Sequence, residues 1–435
     1  MLRLLRYLGS TLMAVACLLA GETSACAEPA GGLSNRVIVG YQGWFGCPND
    51  FEGNRNWQHW FVTGVQPQFF TVDLLPSVRE FKPQDLCDTG LPRADGKGTI
   101  KLFSSQNPNI VAAHFRWMRA HDIDGAALQR FVSGLSDPIK KRRFDHVLEN
   151  VRMAAEATGR VFFIVYDISG ANPTTVADDV RQDWRYLVDV LHVTSSGAYL
   201  RDHGKPVLEL WGFGLGDRPG TPAEVGALIK DLELGTQGLA AATVVGGVPT
   251  YWRTLTKDSK PEQEWAAVYR SYDVLSPWPL GRFSENDAGI AQFVKETVEP
   301  DVVEAHRLSI RYMPVVYPGF SWFNLMTNRG KADHAELNRV PRSCGRFMWS
   351  QVSSLLASRV DSLYIAMFDE ADESTAIFPA ETVADRLPKG SHMLFLNQDG
   401  CSLPDDWYLR VAGAAAGFVH KSKLPPRRLD AVIRP

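Results

Sequence analysis

The sequence predicts an α/β protein, a (β/α)8 barrel of the TIM type with a long first β-to-α loop, and three observations predict it. Eight short β-branched or aromatic runs punctuate the chain, each followed by a longer amphipathic stretch. Right-handed crossovers close eight such units most economically into a ring, with strands inside and helices outside. An open doubly wound sheet would usually carry a Gly-rich phosphate turn after its first strand, and Gly40-Tyr-Gln-Gly43 is not G-x-G-x-x-G.

In order, the runs are 36–45, 123–131, 161–169, 206–213, 242–249, 273–278, 312–317 and 362–368. Between them the helical period is legible. Phe144, Val147, Leu148, Val151 and Ala155 share one face, as do Val176, Val180, Trp184, Leu187 and Leu191. The stretches 149–152 and 296–303 supply charges expected on solvent-facing sides, and Gly159 and Gly204 are expected helix stops. Two connections are long. The segment 46–107 follows the first strand and carries Trp57, His59, Trp60 and Phe61, and 318–342 precedes the seventh helix; insertions of this size usually serve function. The tail 421–435 contains Pro and Arg and is expected to run loosely over the surface. The expected organisation is a leader over 1–27, one barrel domain over 28–420, and that tail.

Composition narrows the partners. Of 435 residues, 45% are hydrophobic and 22% charged, an ordinary globular balance, and 46 Lys+Arg against 49 Asp+Glu give a formal charge of −3. Nothing in that balance suits phosphate neutralisation, so nucleic acid is not an expected partner. Arg3 and Arg6, the apolar run 12–20, and Ala25-Cys26-Ala27 read as a secretory signal cleaved after Ala27, which predicts a secreted or periplasmic protein. Cys17 beside Ala16 is a weaker lipoprotein-like alternative. No stretch approaches the ~18 apolar residues of a membrane span. Cleavage leaves Cys47, Cys87, Cys344 and Cys401; three pairings are open, and Cys47 with Cys87 or Cys344 with Cys401 would each close one excursion. No pair has CxxC spacing, and no metal or cofactor is expected.

In such a barrel the chemistry gathers at the carboxyl ends of the strands. Trp44, Trp211 and Trp278 end strands one, four and six, while Trp252 and Trp322 lie just past strands five and seven. Their flat faces suit the C–H faces of sugar rings, and equally the cap of a barrel core. Strand eight runs into Asp369-Glu370-Ala371-Asp372-Glu373-Ser374-Thr375. Carboxylates this close repel, which raises some pKa values and lets one act as an acid while another stays ionised. Glycoside hydrolysis needs such a pair, and Glu370 and Glu373 are the expected catalytic residues. The same run reads also as a solvated loop capping the next helix. Tyr41, Gln42, His59, Trp60, Asp167, Glu209, Tyr317, Asp369 and Asp372 complete the expected substrate-binding set. His59 and His114 read first as hydrogen-bonded structural histidines, and Arg342 and Arg346 as partners of the acidic run or as plain helix residues.

Five segments together carry a resemblance: Val39-Gly-Tyr-Gln-Gly-Trp44, His114-Phe-Arg-Trp-Met118, Tyr317-Pro-Gly-Phe-Ser-Trp322, Arg346-Phe-Met-Trp-Ser-Gln351 and Met367-Phe-Asp-Glu-Ala-Asp-Glu-Ser-Thr-Ala-Ile-Phe378. They resemble the glycoside hydrolase family 99 and 71-like group, whose best-known members are endo-α-mannosidases and which includes relatives labelled xylosidase- or arabinosidase-like. The resemblance implies that Glu370 deprotonates the sugar 2-hydroxyl and that Glu373 is general acid/base, through a 1,2-anhydro intermediate with net retention. Ala371 and Asp372 stand where the family has Trp-His, Ser374 where it has Gly, and Ala376 where it has Gln. The expected function is a cofactor-independent glycosidase. A carbohydrate-binding barrel without turnover is one alternative, and a metal-dependent hydrolase using Asp369, Asp372 and a histidine is another.

Overall fold

The computed structural model describes residues 32–283 and 286–435. The expected leader, its cleavage position, Cys17 and Cys26 lie outside the described residues.

Eight parallel strands form the expected ring. They are β1 (Val37–Tyr41), β2 (Gly125–Phe131), β3 (Val161–Asp167), β4 (Lys205–Trp211), β5 (Thr243–Gly247), β6 (Val274–Leu275), β7 (Arg311–Tyr312 with Val315–Val316) and β8 (Leu363–Ile365). Neighbours in sequence pair from β1 round to β6. The first half of β7 pairs β6, its second half pairs β8, and β8 returns to β1, which closes the barrel and removes the open-sheet alternative. Pro314 divides β7 because it has no N–H to give the ladder. The eight following helices are α1 (Pro108–Ala120), α2 (Pro138–Thr158), α3 (Val176–Arg185), α4 (Pro222–Leu234), α5 (Trp265–Tyr269), α6 (287–307, in three consecutive segments), α7 (Arg346–Ala357) and α8 (Trp407–Val419).

Local chemistry starts and stops these helices. Asp137 accepts from the backbone N–H groups of Ile139 (2.9 Å) and Lys140 (3.2 Å), Pro138 opens α2, and Gly159 closes it in the left-handed conformation. Thr221 and Glu224 form a reciprocal capping box on α4. The strands are buried on both faces, so their residues are apolar almost throughout.

Four expectations fail locally. Leu191 is exposed, because a π turn at Tyr186–Val190 rotates it off the face that Val176, Val180, Trp184 and Leu187 bury. Gly204 ends no helix and sits in the hairpin turn between Arg201–Asp202 and β4. Asp301, within a stretch expected to face solvent, is buried against Trp252. The tail is docked: Trp349 donates to the Pro426 carbonyl (2.9 Å), and Leu429 is buried.

Both long connections are ordered caps on the mouth of the ring. The first holds a hairpin of Cys87–Pro92 with Thr99–Leu102 and is closed by a Cys47–Cys87 disulfide; a second disulfide joins Cys344 and Cys401. The two connections meet at Asp73, a residue with no sequence signal. Its buried carboxyl accepts from Ser321 Oγ (2.5 Å) and from the N–H groups of Phe323 (2.6 Å) and Asn324 (2.8 Å), and burial raises it to about 6.

Candidate active site

The acidic run is neither a solvated loop nor a helix cap. It turns back over the barrel mouth, pinned from four sides. Asp369 is fully buried and accepts from the N–H groups of Gln42 (2.7 Å) and Gly43 (2.9 Å), which ties the run to the end of β1. The Asp73 N–H donates to the Ala371 carbonyl (3.3 Å) and the Ser321 N–H to the Glu373 carbonyl (3.0 Å). Arg342, buried, donates to the carbonyls of Ser374 (2.9 Å) and Ala376 (2.7 Å). Arg342 thus engages the backbone of the run rather than its carboxylates, and Arg346 is exposed on α7. A polypeptide fixed at so many points presents its side chains with little freedom, as preorganised chemistry requires.

Glu370 points into the ring, where its Oε1 accepts from Gln42 Nε2 (2.8 Å) and its Oε2 from Thr375 Oγ1 (3.1 Å). Burial, then the Glu373 carboxylate, raises its pKa well above the ordinary value. Glu373 is partly exposed, and its carboxyl makes no hydrogen bond among the described residues. Loss of water in the recess, with Asp372 beside it, raises Glu373 to about 7, while Arg329 and Arg218 oppose the rise. The two groups therefore titrate as a pair that retains a proton into the neutral range.

Other expected residues share this interior. Asp167 ends β3, accepts from the Ser169 N–H (2.7 Å), and is raised by burial. Glu209 lies lower on β4 with one carboxylate oxygen unpartnered; burial raises it to about 8. Gly247 leaves Glu209 and Trp211 their room, since a Cβ there would sit 2.9 Å from Glu209 Oε1 and 2.5 Å from Trp211 Cδ1. Trp211 and Trp278 meet edge to face at 5.4 Å, and Trp278 meets Tyr364 of β8 at 6.1 Å. On the side of the first connection, Trp44 is stacked between His59 (4.1 Å) and Phe131 (5.3 Å), with its indole N–H unpartnered. Asp372 lies 3.9 Å from His59, and both line a cleft of about 810 Å³.

Six expected residues stand elsewhere. Tyr41 points outward from β1, its hydroxyl 2.8 Å from Nδ1 of His114 on α1, and that histidine is held neutral by burial, with its pKa lowered to about 3. Side chains alternate across a strand, so Gln42 faces in where Tyr41 faces out. Trp60 is a core residue, stacked on Phe45 (3.9 Å) and donating to the Phe103 carbonyl (2.9 Å). Trp252 is fully buried and donates to Asp301 on α6 (3.0 Å). Tyr317 packs on Phe347 of α7. Trp322 donates to the His334 carbonyl (2.9 Å) within its own connection. Asp369 spends both oxygens on backbone, leaving none for a ligand. Conversely, Gln129, Arg218, Arg329, Tyr364 and Thr375 belong to the site and went unread; Thr375, five residues after Glu370, was the one that spacing could have suggested.

No family model matches the chain, and no curated protein matches it in sequence. Solved structures match in fold. The GH99 endo-α-mannosidase of Bacteroides thetaiotaomicron superposes with a TM-score of 0.63 at 16% identity, over 90% of this chain and 99% of the other. The same enzyme in complex with bis-tris propane gives 0.63 at 16% identity, over 89% and 98%. The fold is that of the group whose motifs the sequence resembles.

Proposed function

We propose that the protein is an exported glycoside hydrolase related to the family 99 and 71-like group, cleaving an oligo- or polysaccharide with Glu370 and Glu373. One observation carries the reading. Two carboxyls of raised pKa share the mouth of the barrel, one clamped by Gln42 and Thr375 and the other bare and accessible. A bare acid near pH 7 is suited to give a proton to a leaving glycosidic oxygen and to take one back from water. A clamped carboxyl of high pKa is, once ionised, a strong and well-aimed base, suited to remove the proton of a sugar 2-hydroxyl. That hydroxyl oxygen would then close on the anomeric carbon as the leaving group departs with the Glu373 proton. Water opening the 1,2-anhydro sugar would restore both protons, with net retention. Trp278, half-buried beside Trp211, supplies an apolar face for a sugar ring. Two disulfides, together with the leader-like sequence, support export.

A carbohydrate-binding barrel without turnover remains the second reading, favoured by Ala371 and Asp372 standing where the family has Trp-His. The test is a screen of α- and β-linked glycans against the wild type, Glu370→Gln and Glu373→Gln, following the anomeric configuration by proton NMR. Hydrolysis that survives EDTA and is lost in both variants is expected. Binding with no turnover would transfer the protein to the second reading, and an inverted product would remove the 1,2-anhydro route.

A further inference from the structure

Resting on the glycosidase reading, we infer that the cleft beside Glu373 takes a glycan bearing an anionic group, a carboxylate or a sulfate, seated by Arg329 and Arg55. The cleft of about 810 Å³ lies between the two long connections, and its fixed charges are Arg55, Arg329 and Asp372. Two guanidiniums stand against one carboxylate, so the lining is positive on balance. Arg55 and Arg329 are exposed and enter no ion pair among the described residues. Two uncommitted guanidiniums therefore line one cleft.

Their placement also matters for the reaction. Arg329 acts on the Glu373 carboxyl and opposes its protonation. A neutral sugar would leave that opposition in place and leave both guanidiniums to water. An anionic substituent would be held by charge-assisted, two-pronged hydrogen bonds. By neutralising Arg329 it would also let Glu373 keep the proton it must donate. Charge recognition and acid strength then meet in one residue.

The test uses the full chain carrying Glu373→Gln, to separate binding from turnover, in isothermal titration at low and high salt. The probes are oligogalacturonate, alginate oligomers and chondroitin sulfate oligosaccharides, each beside its carboxyl-reduced or desulfated counterpart, so that the arms distinguish carboxylate from sulfate. At least one acidic chain is expected to bind about tenfold tighter than its neutral counterpart, the difference fading with salt. Arg329→Gln and Arg55→Gln should each erase most of that difference, and Arg119→Gln, on the exposed surface of α1, should leave it as it is. Equal binding of acidic and neutral chains, binding of none, or indifference to both cleft variants would overturn the inference. If the wild type still hydrolysed neutral glycans, the glycosidase reading would survive that failure. Charge-dependent binding without hydrolysis by the wild type would do the reverse.

Discussion

Buried charge is handled in opposite ways on the two sides of the barrel wall. Between the strands and the outer helices, Arg130 (2% exposed) meets Asp183 through two hydrogen bonds of 2.5 and 2.8 Å and Asp145 through one of 2.8 Å. Tyr166 and Tyr186 add donors to the same carboxylates, at 2.8 and 2.9 Å. Every charge there has partners. Inside the mouth, Asp167, Glu209, Glu370, Asp372 and Glu373 gather with Arg218 alone among them and Arg329 at the rim, and oxygens of Glu209 and Asp372 have no partner. Satisfied networks hold a fold in one arrangement, whereas an excess of under-partnered carboxyls costs stability and is retained where it does chemistry.

The comparison is sharpened most by Glu373→Gln, which should lower kcat by about 10²–10⁴-fold, the usual worth of a positioned acid/base, with no fall in melting temperature. In the wild type the acid form of Glu373 persists below about pH 7 and is lost above it, so kcat/KM should descend through that region. A descending limb unchanged in the residual activity of the variant would assign the proton elsewhere. Next, Asp183→Asn should cost about 3–5 kcal/mol in urea unfolding, because it leaves the buried Arg130 with Asp145 as its one remaining carboxylate, while the folded fraction keeps its kcat/KM. A loss of activity beyond the loss of folded protein would show that the outer network also serves the site.

The smallest effect is one of pH. Glu209 is raised from 4.5 to about 8, so its neutral form is favoured by folding. Its contribution is full below pH 4.5 and is withdrawn as the pH rises through 8, on the order of 4 kcal/mol at most. The melting temperature of Glu209→Gln should therefore fall less between pH 5 and pH 8 than that of the wild type. Parallel curves would place a counter-charge on Glu209.

Much of this was written along the chain. The alternation of short β-branched runs with 3.6-periodic stretches depends on local propensity and on which face is buried, so eight units and their order were legible, as were the acidic run at the end of β8 and the length of both insertions. What failed depended on direction. Tyr41 and Gln42 are neighbours, yet only Gln42 faces the ring, because the pleat turns adjacent side chains to opposite sides and its phase is fixed by pairing with β2 and β8. Trp60 and Trp252 have the same indole as Trp44, but their surroundings make them core.

The same limit separates Asp369 from Glu373. Four residues apart in one run, they have the same chemistry on paper, and only closure of the ring brings the Gln42 and Gly43 N–H groups to saturate Asp369 while Glu373 is left bare. Asp73 carried no signal because its partners, Ser321, Phe323 and Asn324, belong to the other long connection, far away along the chain. Period and composition, being local, determined the architecture and the kind of chemistry. Which carboxyl is free to react was decided by contacts between segments hundreds of residues apart, since desolvation and hydrogen bonding exist only once those segments meet.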